Sequence, residues 1–105
     1  MPKGDCFDAA YRHLSELDDE GESGLRLCHG IVTSKKGTFC HAWVEQSNGK
    51  HIYVFDVTNG WFVPLLRKDY YRILTVKNVV RYTIKRASIE SLRHGHSGPW
   101  HRSFA

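Results

Sequence analysis

The sequence predicts an α+β fold: one N-terminal helix packed on an antiparallel sheet of about four strands, in a single domain spanning residues 1–105. Three observations predict it. Apolar residues recur at helical spacing near the N-terminus. Runs rich in β-branched and aromatic residues follow, separated by glycine-containing turn signals. A length of 105 residues with 41% hydrophobic and 25% charged content suits one small core.

The first element covers residues 5–18, where Phe7, Ala10, Tyr11, Leu14 and Leu17 form one apolar stripe. Asp5 is the expected N-cap, and Asp8 adds a second carboxylate to the first turn. The acidic run Asp18-Asp19-Glu20-Gly21-Glu22-Ser23-Gly24 ends the helix in a solvated loop. Strands follow over 25–33, with Gly30 marking a bulge, and over 38–46, joined by Ser34-Lys35-Lys36-Gly37. Asn48-Gly49 between β-rich runs predicts a two-residue type I′ turn into a third strand over 51–57. Residues 61–66 are extended around Pro64, 68–74 form a short helix, 76–86 a further strand, 87–93 a closing helical turn, and the tail is irregular.

No apolar stretch approaches the ~20 residues of a membrane span, and Met1-Pro2-Lys3-Gly4 carries no signal-peptide core, so the expected location is cytoplasmic. Three cysteines without CxxC spacing exclude a disulfide framework and a zinc ribbon, and neither a metal nor a cofactor is expected. Cys28 and Cys40 fall in apolar runs as structural thiols, whereas Cys6 stands at a helix start, the general setting of reactive thiols. Net charge is +4 and uneven. Residues 1–24 hold seven of the 11 acids, and the rest of the chain holds 13 of the 15 Lys and Arg residues.

Cys6, His41 and Asp56 stand in the order that nucleophilic catalysis uses. His41 lies in Phe39-Cys40-His41-Ala42-Trp43-Val44-Glu45 and Asp56 in Ile52-Tyr53-Val54-Phe55-Asp56-Val57. A two-residue turn at Asn48-Gly49 makes paired positions sum to 97, which sets His41 directly opposite Asp56 with β-carbons ~5 Å apart. Trp43 then faces Val54, and Phe39 faces Thr58. In this reading Cys6 is the nucleophile, His41 the base and Asp56 the group that holds the imidazole. The N–H of Cys6 supplies half of an oxyanion hole.

These segments resemble the transglutaminase-like branch of the papain-like cysteine protease and acyltransferase superfamily. Cys6-Phe7 with Ala9-Ala10 is similar to its nucleophile helix, His41-Ala42-Trp43-Val44-Glu45 to its histidine motif, and Asp56-Val57-Thr58 to its aspartate motif. The resemblance covers residues 4 to about 60. It implies a hydrolase or acyltransferase acting on an amide, peptide or related acyl bond through a thioester on Cys6. The departures are Phe7 where the group has tryptophan, and missing substrate-binding lobes.

The expected partner is a peptide, protein or small acyl substrate, with no membrane and no nucleic acid. The alternative is a non-catalytic binding module that uses its basic C-terminal half, including Lys77, Arg81, Lys85, Arg86 and Arg93, to bind nucleic acid or an acidic partner. Trp61, Tyr70, Tyr71, Trp100 and Phe104 are read first as packing residues and second as groove lining. His29, His51, His94, His96 and His101 match no structural zinc spacing.

Overall fold

The structure, a computed structural model, describes residues 3–59 and 63–104, with side chains other than those of residues 3–5 and 59. Helix α1 (Lys3–Asp19) places Cys6, Phe7, Ala10 and Leu14 on its buried side, as the apolar stripe predicts. It begins at Lys3, so Asp5 lies within the first turn rather than at the cap. Its end is a Schellman arrangement, in which Gly21 takes φ +84°. The Gly21 N–H donates to Asp18 and the Glu22 N–H to Leu17, each at 3.0 Å, satisfying carbonyls that the helix leaves open.

Five antiparallel strands follow: β1 (Leu25–Ser34), β2 (Gly37–Ser47), β3 (Ile52–Phe55), β4 (Leu65–Leu66) and β5 (Lys77–Tyr82), in the order β4-β3-β2-β1-β5. Helices α2 (Arg67–Ile73) and α3 (Ile84–His94) complete the fold, with a short 3₁₀ turn at Val57–Asn59 and another at Arg102–Phe104. The β1–β2 hairpin runs in register from Leu25↔Gln46 to Ser34↔Gly37 around Lys35-Lys36. Gly30 is required where it stands. A β-carbon there would sit 2.7 Å from Cη2 of Trp43, and the β1–β5 register shifts between His29 and Ile31.

The β2–β3 register differs from the sequence expectation. Pairs run Val44↔Phe55 to Ser47↔Ile52, so Val54 faces Glu45 rather than Trp43. The cause is Asn48, whose Oδ1 accepts from the N–H groups of Lys50 (3.1 Å) and His51 (2.8 Å). That Asx-type closure makes a four-residue loop over 48–51 and displaces the two-residue turn. The slip is two residues, so every side chain keeps its expected face.

The alternation of β1 and β2 divides the core. Leu25, Leu27, Ala42 and Val44 meet α1, Ala87 of α3 and Trp100 on one face. Cys28, Val32, Trp43 and Val54 meet Tyr70 of α2 on the other. The strand expected over 76–86 ends at Tyr82, because the Thr83 hydroxyl accepts from the Arg86 N–H at 3.1 Å and starts α3 there. The expectation for Trp61 lies outside the described residues.

Candidate functional site

His41, Trp43 and Glu45 alternate along β2 onto the α2 face of the sheet, and two buried acid-centred networks grow from them. In the first, Nε2 of His41 lies 2.9 Å from Oδ2 of Asp56. The same oxygen accepts from the Tyr70 hydroxyl at 2.6 Å, and Oδ1 accepts from Thr58 at 3.1 Å. Burial by itself would raise the Asp56 carboxyl, but hydrogen bonds from His41, Tyr70 and Thr58 hold it below the usual carboxylate range.

β3 ends at Phe55, whose partner is Val44, so His41 lies three residues beyond the last β2–β3 pair. Cys6, on α1, comes near enough to His41 there for its thiol to bear on the imidazole. Burial would lower the imidazole, yet the bonds to Asp56 and Cys6 and their charges raise it to about 9. The structure therefore brings Cys6, His41 and Asp56 together, with His41 and Asp56 meeting across a register other than the one the turn predicted. All three are closely covered, at 9%, 5% and 2% exposure.

The second network centres on Glu45, also buried, and sequence reading did not single it out. Oε2 accepts from Nε1 of Trp43 at 3.0 Å and from the Tyr71 hydroxyl. Oε1 accepts from Nε of Arg81 at 3.1 Å, with Nη1 of Arg67 at 3.6 Å. Arg81 also donates to Tyr71 at 2.8 Å. Burial works against the carboxylate form, but the bonds from Tyr71 and Trp43 and the Arg81 charge bring the Glu45 carboxyl below its ordinary value. A cavity of about 200 Å³ opens beside this carboxylate, lined by Gly24, Arg26, Glu45, Ser47, Ile52, Arg67 and Arg81. Three guanidinium groups against one acid leave it positive. The only sequence signal was the alternation that puts Glu45 on the face of His41; the convergence of Arg26, Arg67 and Arg81 from three elements had none.

The aromatic residues are mainly packing residues. Tyr70 is fully buried, and Trp100 is 8% exposed against Tyr82 and His29. Among the described residues, no three His, Cys, Asp or Glu side chains converge as metal ligands. Cys28 is buried and Cys40 half-buried, and no cysteine is in a disulfide.

Fold and site thus define a small α+β domain with two buried acid-centred networks on one sheet face and an arginine-lined cavity. MutS family domain IV matches residues 7–89, and the chain belongs to that family. Curated proteins and solved structures gave no match.

Membership corrects the expectations drawn from the catalytic order. The chain is not of the transglutaminase-like or papain-like group, and domain IV is non-catalytic, which overturns the thiol hydrolase or acyltransferase activity and its protease assignment. It also reverses the preference for an acyl substrate over nucleic acid. The match begins at Phe7, so it includes His41 and Asp56 but not Cys6. The physical reason is visible in the burial. A buried His41–Asp56 hydrogen bond beside a core cysteine can serve as internal structure, and here the described cavity opens beside Glu45 rather than beside Cys6. No helix among the described residues is long and apolar enough to cross a membrane.

Proposed function

We propose that this chain is a non-catalytic DNA-binding module that holds the sugar–phosphate backbone through arginine and lysine. The observation that carries this reading is membership of MutS family domain IV, which points to a DNA-contacting domain of mismatch repair. Charge supports it, since 13 of the 15 Lys and Arg residues follow residue 24. So does the cavity at Glu45. Arg67 and Arg81 are 38% exposed and anchored on the buried carboxylate, and Arg26 lies exposed beside them. A buried acid that holds two guanidinium groups in place lowers the entropy lost when they meet a phosphate. The chain acts as one domain, inside the cell, where its DNA is.

Fluorescence anisotropy of a short labelled duplex across a salt series tests the reading. Log affinity is expected to fall linearly with log salt, at about −0.9 per phosphate neutralised, and Arg67→Gln is expected to reduce that slope by about one phosphate. Absence of binding at low salt, or binding indifferent to salt, refutes it.

A further inference from the structure

The cavity beside Glu45 has a charge and a shape that distinguish one kind of phosphate from another. Its three guanidinium groups are each held in place by the protein itself. Arg81 donates from Nε to Glu45 at 3.1 Å and from Nη2 to Tyr71 at 2.8 Å. Arg67 sets Nη1 3.6 Å from the same carboxylate oxygen, with its Cζ 5.9 Å from the centroid of the Tyr71 ring. Arg26 donates from Nη1 to the Leu25 carbonyl at 2.7 Å. Nη1 of Arg81 and Nη2 of Arg26 are left to meet a ligand. The Ser47 hydroxyl accepts from the Gly49 N–H at 3.2 Å, which leaves its own proton for a ligand as well. Backbone closes one side of the cavity. There the Ser47 N–H donates to the Gly24 carbonyl at 2.9 Å, and a β-carbon on Gly24 would stand 2.3 Å from the Ser47 carbonyl oxygen.

We infer that this cavity binds a terminal phosphate monoester in preference to the diester inside a nucleic-acid strand. The source of that phosphate, a strand end, rests on the DNA-binding reading. Arg26, Arg67 and Arg81 against Glu45 leave two positive charges in excess. A phosphate monoester carries close to two negative charges at neutral pH, whereas a diester carries one. Both Glu45 oxygens are already engaged, one by Trp43 and Tyr71 and the other by Arg81, so the acid holds the arginines without confronting the phosphate. Shape acts in the same direction. A strand that continues both ways needs a groove open at both ends, and a cavity closed along Gly24 and Ser47 admits a chain end, phosphate first. Half-buried Ile52 offers an apolar wall for the sugar behind it.

Fluorescence anisotropy at constant salt compares internally labelled duplexes of one sequence that carry either phosphate or hydroxyl at every strand end. The phosphorylated duplex is expected to bind about ten-fold more tightly. Calorimetric titration with a nucleoside 5′-monophosphate and with its methyl diester repeats the comparison without the duplex, and a preference of about the same size is expected. Arg26→Gln and Arg67→Gln are each expected to remove most of the preference, with circular dichroism confirming that the variants fold. A preference seen in the titration alone keeps the site and assigns it to free nucleotides. If neither duplex binds while the monophosphate is preferred, the DNA reading falls and the phosphate site stands. Equal affinity, or no binding, in both comparisons overturns the proposal, and salt-dependent binding of the duplexes then leaves the DNA reading intact. A preference that survives in both folded variants also overturns it.

Discussion

His29 makes this domain sensitive to mild acid, and the size of the effect follows from its surroundings. The side chain is fully buried, with ring centroids of Phe7, Trp100 and Tyr82 at 4.9, 5.0 and 5.2 Å. Among the described residues, neither ring nitrogen has a hydrogen-bond partner. Burial alone lowers the imidazole to about 3. The folded chain therefore keeps His29 neutral while the unfolded chain protonates it below about pH 6.5. The unfolded state binds more protons in that window, so stability falls as pH falls from about 6.5 towards 3. At pH 5, about 1.5 units below the unfolded value and still above the folded one, the loss is about 2 kcal/mol, at 1.36 kcal/mol per unit.

The perturbation is His29→Leu, which fills a similar space and removes the titration. At neutral pH its net effect is a balance of lost ring contacts against removal of two unpaired nitrogens. The pH difference cancels that balance. Urea unfolding of both proteins at pH 7 and pH 5 should show the original losing about 2 kcal/mol more than the variant. Parallel losses in the two proteins would refute the reasoning.

Three further outcomes follow from other contacts. His41 has the opposite sign, because its raised value makes the folded state the better proton binder. Its contribution is complete below about pH 6.5 and is lost as pH rises towards 9. Asp56→Asn should flatten that alkaline loss in thermal melts and destabilise the fold by about 3 kcal/mol, because it breaks a buried pair. Gly30→Ala drives a methyl group against Trp43 and should cost about 1–3 kcal/mol in urea unfolding. Gly21→Ala places a side chain at φ +84° with open space around it, and should cost about 1 kcal/mol by the same measurement.

How much of this was legible in the sequence depended on how local the cause was. The stripe on α1 and the turn at Lys35-Lys36 are set within a few residues of chain, and both elements form where expected. The loop at Asn48 is equally short, but there the asparagine side chain competed with the backbone and moved the register by two. His41 and Asp56 still share a face, since an even slip preserves the alternation. Thr83 misled in the same way: it extends a β-branched run, yet its hydroxyl caps α3. The resemblance to a thiol enzyme rested on three short segments, whereas family membership is spread over residues 7–89.

The sequence by itself determined the α+β class, the main strands and the faces of β1 and β2, because periodicity and turn chemistry act over neighbouring residues. Only the tertiary structure decided what the polar residues meet. Arg26, Arg67 and Arg81 come from β1, α2 and β5, and a buried Glu45 draws two of them to one cavity. His29 lost its partners when Phe7, Tyr82 and Trp100 closed around it. Those outcomes depend on long-range packing, in which the removal of water sets the charge and bonding of each group, and no local pattern encodes it.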